Sequence, residues 1–293
     1  MSPQVQVLEE ITRVSPLGVR FWDVESAGPA ETGLAVVAYP DAYPELRTPA
    51  AWNGAGIYSF SGLPGLRKAE NGAGDDAYWS ANPPTVPYTV EVTDPQNRYL
   101  PFQLSALLPV RGLFGLFASP PLAVQTPDAT WVPVFSTPAR PVAGVTAVIR
   151  ADLQGLSGAG ASWAVVTAQA ENAAPAIGIA DDRGVISLAL PYPELRTVPV
   201  SSPLGQAALK LGDQSWPVEI RIFWTPEAIA TETPDLEALL QQGEAFAWRD
   251  TAQTTPVTTF TLQFGNDLIL RSLDSASGRE LPYLLVTAAG SPI

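Results

Sequence analysis

The sequence contains no cysteine and no histidine. Without cysteine, the chain can form neither a disulfide framework nor a thiol nucleophile. Without histidine, the Ser-His-Asp and Cys-His catalytic arrangements are excluded, and a zinc site would have to consist of carboxylates alone. We therefore expect no enzymatic activity, and no metal ion or other cofactor.

Basic residues are scarce. The chain has 16 lysines and arginines against 29 aspartates and glutamates, which gives a net charge of −13. Nucleic acids and anionic membrane surfaces are bound mainly through basic residues, so this balance argues against both as partners. An acidic protein surface also favours solubility, and this is the simplest explanation of the charge.

Long apolar runs are scarce too. The longest apolar stretch, residues 107–124, is interrupted by Arg111, Pro120 and Pro121, so it does not predict a transmembrane segment. The first residues, MSPQVQVLEEITRV, lack the basic region followed by an apolar run that is typical of a signal peptide. We therefore expect a cytoplasmic protein that does not insert into a membrane.

Proline and glycine, by contrast, are abundant, with 30 and 23 residues, and 46% of the chain is hydrophobic. Many short strands joined by turns fit this composition better than long helices do. Alternation of apolar and polar residues predicts strands, most clearly at 17–24, 86–93 and 217–224. We predict an all-β protein that is long enough for two domains.

Two segments depart from the strand pattern. Residues 234–242 predict one short helix, because Thr233 can cap it, Pro234 suits its first position, and the leucines that follow form one apolar face. Residues 69–87 are rich in glycine, asparagine, aspartate and proline, and they predict a long surface loop.

The chain is organised around residues 176–196, AIGIADDRGVISLALPYPELR, which predict a hairpin of two strands and a tight turn. Asp181 to Gly184 is typical of a turn, since aspartate accepts turn geometry and glycine adopts positive φ without steric cost. We therefore interpret the acidic pair Asp181-Asp182 as turn residues. The other pair, Asp75-Asp76, could help to bind Ca²⁺ but lacks the spacing of a calcium loop.

Prolines divide the chain into two parts. Those at 120, 121, 127, 133 and 138 predict a stiff, extended connector. We place an N-terminal β-sandwich at 1–128, the proline-rich connector at 129–143, and a C-terminal β-sandwich with the short helix at 144–293.

The hexapeptide YPELRT occurs twice, at Tyr43–Thr48 and at Tyr192–Thr197. A strand motif with a turn glycine also occurs twice, at Gly56–Phe60 and Gly184–Leu188, but on the opposite side of the hexapeptide in each half. The two repeats therefore cannot share one structural register. The hexapeptide is either a shared docking element or a coincidence in a proline-rich chain.

The hairpin and its surroundings resemble a known module. A turn with Ala180, Asp181 and Gly184, followed by Ile186, Leu188 and Pro191, is similar to the hairpin of carboxypeptidase regulatory-like, or transthyretin-like, domains. Residues 56–64 resemble the same hairpin without the turn aspartate. The resemblance implies two immunoglobulin- or transthyretin-like β-sandwich domains in tandem. It extends only to the accessory domain of carboxypeptidases, so peptidase activity does not follow.

A second resemblance concerns the combination of four stretches, VRFWDVESAGPAETGLAVVAYP, IYSFSGLPGLR, RYLPFQLSALLPVRGLF and GIADDRGVISLALPYP. Together they resemble uncharacterised proteins associated with contractile injection systems and phage-tail-like particles. This resemblance implies a non-catalytic structural or adaptor subunit. Its partners would be sheath, tube, cap or baseplate proteins and ring-symmetric copies of itself. A position at the cap end is favoured, and a baseplate position stays open.

Aromatic residues in the predicted loops are the candidates for partner contact, because tryptophan and tyrosine are enriched at interfaces. Together with the hexapeptide residues, the candidates are Trp52, Tyr78, Trp79, Tyr43, Arg47, Tyr192 and Arg196. Aromatic rings also stack on sugars. A carbohydrate-binding or adhesin-type module that uses the same residues is therefore the alternative function.

Overall fold

The computed structural model describes residues 13–72, 74–116, 122, 124–142, 144, 146–194, 211–226, 232–252 and 254–288. Over these residues the protein is all-β, as the composition predicts, with three short helices rather than the single one expected. None of the helices in these ranges has the length and apolarity needed to cross a bilayer. The arrangement as two immunoglobulin- or transthyretin-like domains stays a prediction.

The first half of the chain, the N-terminal unit, comprises the described residues between 13 and 142. Its elements are β1 (Gly18–Asp23), β2 (Gly28–Pro29), β3 (Ala35–Pro40), β4 (Thr48–Pro49), β5 (Ala51–Trp52), β6 (Tyr58–Ser59), α1 (Arg67–Gly72), α2 (Asp76–Ser80), β7 (Val86–Thr93), β8 (Phe102–Leu108) and β9 (Trp131–Val134).

The C-terminal unit comprises the described residues between 144 and 288. Its elements are β10 (Thr146–Gln154), β11 (Val165–Ala170), β12 (Ala176–Ile179), β13 (Val185–Pro191), a 3₁₀ turn (Leu211–Asp213), β14 (Ser215–Phe223), α3 (Leu236–Leu240), β15 (Glu244–Trp248), β16 (Thr259–Gln263), β17 (Leu268–Ile269), β18 (Leu273–Asp274), β19 (Arg279–Glu280) and β20 (Leu284–Ala288).

Two sheets enclose the core of the N-terminal unit. One has the strand order β2-β1-β6-β5 with β9 on the other side of β1, and the second has the order β4-β3-β7-β8. Along β7 and β8 the side chains alternate between buried and accessible, so one face of the second sheet covers the core. The predicted strands at 17–24 and 86–93 are confirmed as β1 and β7.

The stretch 129–143, which we expected to be a connector, contributes to the N-terminal unit. Within it, β9 pairs in parallel with β1, and Val132 and Val134 are fully buried. Pro133 is compatible with this strand because β1 is the one partner of β9 among the described strands, so a missing N–H is tolerated at the edge. Proline content alone therefore misidentified an edge strand as a linker.

The predicted surface loop at 69–87 is wrong in its first part, because α1 and α2 lie there. Asp75 caps α2 by accepting a hydrogen bond from the backbone N–H of Ala77 at 2.9 Å. In α1, the buried carboxylate of Glu70 accepts hydrogen bonds from the backbone N–H groups of Gly62 and Leu63. Helices of five or six residues depend on such local anchors and are too short to show a helical period in the sequence.

The central hairpin is confirmed in its strands and turn but not in its pairing. The Asp181 N–H donates to the Val185 C=O at 2.9 Å, which closes the turn. However, β12 pairs with β11 and β13 pairs with β10, so the two strands lie at opposite ends of the sheet order β12-β11-β14-β15-β20-β10-β13. The sheet therefore folds over on itself at this turn and encloses its core. The turn at 265–267 likewise joins two strands that do not pair with each other, since β16 pairs with β14 and β17 pairs with β10.

The two units pack against each other through α3. Asp235, rather than the predicted Thr233, caps this helix by accepting from the Ala238 N–H at 2.9 Å. Leu236 and Leu239 are buried in the same hydrophobic cluster as the core of the N-terminal unit. The N–H of Gln103 in β8 donates to the Pro234 C=O at 2.8 Å. Direct packing, and not only a connector, therefore sets the relation between the units.

Candidate functional site

The seven sequence-predicted contact residues lie in different environments. Tyr43, Arg47 and Trp52 lie close together in the sequence, between β3 and β6, on a stretch of the N-terminal unit that is almost wholly exposed. Tyr78 and Trp79 belong to α2, and Tyr192 directly follows β13. Arg196 lies outside the described residues, as do the last three residues of the second hexapeptide.

Residues 41–55, which we name the exposed segment, form the strongest candidate surface. All of them are exposed except Thr48 and Ala50, which are half-buried. Three large apolar side chains stand out, since Tyr43, Leu46 and Trp52 are 57%, 43% and 49% exposed. Exposed apolar side chains are common singly, but three within ten residues of one ordered segment indicate a contact surface.

The backbone of the exposed segment is held at several points. The Tyr43 N–H donates to the Pro40 C=O at 2.9 Å, and the Leu46 N–H donates to the Tyr43 C=O at 3.0 Å. Then β4 pairs with β3 in one sheet and β5 pairs with β6 in the other, so the chain passes from sheet to sheet. Anchored on both sheets, the segment presents its aromatic side chains at little cost in conformational entropy.

A turn ends the exposed segment after β5. The Asn53 side-chain oxygen accepts hydrogen bonds from the backbone N–H groups of Ala55 and Ile57, at 3.0 and 2.9 Å. This is an Asx-type turn, which asparagine favours because its side chain replaces a backbone acceptor. It returns the chain into β6 and fixes the end of β5, on which Trp52 lies.

Arg47 is held against the sheet that carries the exposed segment. Its Nη2 lies 2.7 Å from the Glu91 Oε1, and its guanidinium lies 4.7 Å from the ring centre of Tyr39. The hydrogen bond with Glu91 raises the pKa of Arg47 above its usual value. With its charge already paired, Arg47 can be covered by a partner that brings no carboxylate of its own.

Tyr78 and Trp79 are less suited to partner contact than the sequence indicates. Both are half-buried, and Tyr78 packs against the N-terminal core. Their ring planes are nearly perpendicular, at 88°, with centres 5.2 Å apart. A sugar ring stacks on an aromatic face, and this edge-to-face pair forms no flat platform of two rings.

The side chain of Tyr192 packs within the C-terminal unit. Its ring centre lies 4.8 Å from that of Phe264 and 6.0 Å from that of Trp216. Its hydroxyl accepts a hydrogen bond from the Gly265 N–H at 3.0 Å. Tyr43, the matching residue of the first hexapeptide, is exposed, so the two copies of YPELRT do not present equivalent first residues.

The acidic residues of both pairs stabilise local structure through hydrogen bonds and ion pairs. The Asp181 Oδ1 accepts from the N–H groups of Arg183 and Val185, both at 2.9 Å, which confirms the predicted turn role. Asp75 caps α2, and Asp76 lies 2.6 Å from an Nη2 of Arg111. Over the described ranges, no group of three or more carboxylates is placed to hold a metal ion.

A buried charge network, which the sequence did not indicate, lies within the N-terminal unit. Asp23 is 1% exposed, and its Oδ2 accepts from the Arg140 Nη2 at 2.8 Å and from the Tyr99 hydroxyl at 3.1 Å. Burial would raise the pKa of Asp23, but hydrogen bonds from Arg140 and Ser26 outweigh it and hold that pKa below its usual value. With these bonds made, the network stabilises the fold and offers no free reactive group.

Clefts between the two units add little that is chemically reactive. One cleft of about 480 Å³ is lined by Trp163, Asp182, Arg183 and Glu232, among others. The buried carboxylate of this cleft, that of Asp181, already accepts hydrogen bonds from the backbone N–H and the guanidinium of Arg183. The arrangement offers polar groups for water or a small ligand, without a nucleophile beside a base.

No protein-family model, curated protein or solved structure matches this chain. The resemblances drawn from its sequence motifs therefore remain predictions. The functional argument rests on the surfaces that the structure presents, and the exposed segment is the foremost of these.

Proposed function

We propose that the chain is a non-catalytic structural or adaptor subunit of a contractile injection system or phage-tail-like particle. In this role it binds other subunits of the particle through the exposed segment. The observation that carries the proposal is the exposure of Tyr43, Leu46 and Trp52 on a backbone anchored to both sheets. The assignment to such a particle, favouring its cap end over its baseplate, rests on the resemblance of the sequence motifs.

The chemistry of the exposed segment favours a protein partner. Aromatic side chains that become fully desolvated contribute most of the energy of many protein interfaces. Asp41 and Glu45 flank Tyr43 and are themselves exposed. A complementary partner therefore has an apolar centre that receives Tyr43 and Trp52, and basic residues around it.

Carbohydrate binding is the competing function, because Trp52 could stack on a sugar ring. The perpendicular rings of Tyr78 and Trp79 disfavour it, since a row of coplanar aromatic faces is the usual platform for a glycan. Tyr192, the other aromatic candidate, is packed against Phe264. The sequence-predicted aromatic residues therefore do not form one continuous sugar-binding surface.

The test is the incorporation of tagged chains into native particles purified from the source cells, measured by mass spectrometry of the particle fraction. We expect the wild type to co-purify with sheath and tube proteins. The amount of the double variant Tyr43→Ala, Trp52→Ala in the particle fraction should be at least about tenfold lower than that of the wild type. The reason is that the loss of hot-spot aromatic residues costs about 2 kcal/mol or more of binding free energy.

The matched control is Leu156→Ala together with Ile269→Ala, which removes side chains of similar exposure from the C-terminal unit. This control should enter particles as the wild type does. Absence of the wild type from particles would refute the assignment to a particle. Normal incorporation of the Tyr43 and Trp52 variant would refute the role of the exposed segment, and glycan binding that depends on Trp52 would establish the alternative.

A further inference from the structure

The tetrapeptide Asn-Gly-Ala-Gly occurs twice in the sequence, at 53–56 and at 71–74. An asparagine followed by a glycine is a chemically labile pair, because the backbone nitrogen of the glycine can attack the side-chain amide carbon of the asparagine. Glycine has no side chain that hinders this attack. No other asparagine of the chain precedes a glycine. The fold gives the two copies different surroundings, and these decide which copy reacts.

The first copy forms the turn that ends the exposed segment, and Asn53, Gly54 and Ala55 are all exposed there. The Asn53 N–H donates to the Ile57 C=O at 2.9 Å, and the Gly56 N–H donates to the Asn53 C=O at 3.1 Å. Among the described residues, the Gly54 N–H donates no hydrogen bond. A Cβ at Gly54 would meet nothing within 4 Å. The attacking nitrogen is therefore unhindered and is not held by the turn.

The side-chain oxygen of Asn53 lies between two hydrogen-bond donors. The Asn53 Oδ1 accepts from the backbone N–H groups of Ala55 and Ile57, at 3.0 and 2.9 Å. When the Gly54 nitrogen attacks the Asn53 Cγ, negative charge develops on this same oxygen. Donors that already point at the oxygen stabilise that charge without reorganisation. The turn therefore provides an oxyanion hole for its own side chain.

The second copy has neither advantage, because α1 ends within it, at Gly72. In the helix, the Gly72 N–H belongs to the ladder that joins each N–H to the carbonyl four residues earlier. A Cβ at Gly72 would lie 3.0 Å from Cδ2 of Tyr78, so the Tyr78 ring crowds the glycine. Within the described part of the chain, the Asn71 side chain has no hydrogen-bond partner. The helix therefore ties up the attacking nitrogen and supplies no donor to the side-chain oxygen.

We propose that Asn53 is a modification site, at which the turn converts asparagine spontaneously into aspartate and isoaspartate. The Gly54 nitrogen loses its proton to water and bonds to the Asn53 Cγ. The Cγ–Nδ2 bond then breaks, and Nδ2 takes a proton from water and leaves as ammonia. Water next adds to one of the two carbonyl carbons of the resulting succinimide ring, and the bond from that carbon to the Gly54 nitrogen breaks. Opening at Cγ gives aspartate, and opening at the backbone carbon gives isoaspartate.

Both products alter the exposed segment beside Trp52. Each replaces a neutral amide with a carboxylate, in a chain whose net charge is already −13. Aspartate keeps the side-chain acceptor, so the turn stays closed. Isoaspartate adds the side-chain methylene to the main chain, which disturbs the pairing of β5 with β6 at the pair Trp52 and Tyr58. A partner's response to this change rests on the proposed function, whereas the modification itself does not.

The test is mass spectrometry of peptides from the purified chain after incubation in mildly alkaline buffer. Modification raises the mass of a peptide by the difference between water and ammonia, and chromatography separates its aspartate and isoaspartate forms. The second Asn-Gly-Ala-Gly copy is the matched control, because its four residues are identical. We expect Asn53 to react at least about tenfold faster than Asn71, which corresponds to a barrier about 1.4 kcal/mol lower.

Incubation in urea shows what the fold contributes. In the unfolded chain the two copies should react at similar rates. In the folded chain, Asn53 should react at least as fast as it does in urea, and Asn71 much more slowly. The proposal is overturned if folding slows the reaction at Asn53, or if Asn53 reacts no faster than Asn71 in the folded chain.

Gly54→Ala tests the attacking nitrogen directly. The added methyl group hinders the attack but meets nothing within 4 Å, so the fold should be kept, which circular dichroism verifies. The variant should react at least about tenfold more slowly at Asn53 and at an unchanged rate at Asn71. An unchanged rate at Asn53 contradicts the proposed route. These readouts do not involve the particle, so they stand or fall separately from the proposed function.

Discussion

Replacement of Arg140 with methionine should destabilise the N-terminal unit by about 3 kcal/mol or more at neutral pH, because it leaves the buried Asp23 carboxylate without its charge partner. Asp23 is 1% exposed, and the Arg140 side chain that neutralises it is 12% exposed. Methionine can keep the apolar contact with the Tyr99 ring, whose centre lies 4.7 Å from the guanidinium carbon. The loss therefore reports the charge rather than the packing.

The loss of stability in the Arg140 variant should depend on pH in a defined direction. In the wild type, the pKa of Asp23 is below its usual value of 3.8, so the stabilisation is present above that value and is lost as the pH falls through the lowered pKa. In the variant, burial remains while the bonds from Arg140 are gone, so the pKa of Asp23 should rise above 3.8. Protonation then relieves the unpaired charge. The deficit of the variant should therefore shrink between neutral pH and roughly pH 4.5.

Urea unfolding followed by tryptophan fluorescence measures the effect at both pH values. The matched control is Arg221→Met, which removes an arginine from an exposed pair. The Arg221 Nε lies 2.9 Å from the Glu244 Oε1, with the two side chains 48% and 45% exposed. Such a pair contributes about 1 kcal/mol or less. The reasoning fails if the Arg140 variant loses no more stability than the control, or if its deficit is the same at both pH values.

Two further predictions concern stability. Burial raises the pKa of Tyr88 and of Tyr99 to about 12, against 10.0 for an exposed tyrosine. The stability they contribute should be complete below pH 10 and fall as the pH rises towards 12; an unfolding midpoint that is flat over that interval would contradict this. Gly160→Ala should unfold or strongly destabilise the C-terminal unit, since its Cβ would lie 2.0 Å from the Arg183 carbonyl oxygen. The control is Gly243→Ala, whose Cβ meets nothing closer than 3.9 Å. In thermal unfolding experiments, this control should keep the stability of the wild type.

The strands could be predicted well from the sequence wherever one face of the strand is buried. The pattern VPYTVEVT at 86–93 predicts β7 with its full length, because its alternate residues line the core. The pattern at 217–224 likewise predicts β14, whose exposed and buried residues alternate from Ser215. Alternation is a local property of the sequence, and burial of one sheet face produces it directly.

Strand pairing could not be predicted in the same way. The turn at Asp181–Gly184 follows from local chemistry, but the choice of β11 and β10 as partners of β12 and β13 depends on residues far away in the sequence. The parallel pairing of β9 with β1 joins residues more than 100 positions apart. A proline-rich stretch gives no local sign of such a partner, which explains the erroneous connector.

The candidate site shows the same division between local and distant causes. Aromatic residues in the loops after Pro40 predicted a contact region; Tyr43 and Trp52 are exposed there, and their contact with a partner stays a prediction. The second hexapeptide suggested an equivalent environment for Tyr192, but the Tyr192 ring packs against Phe264, which directly follows β16 and is distant in the sequence. The Asp23–Arg140 pair was missed for the same reason.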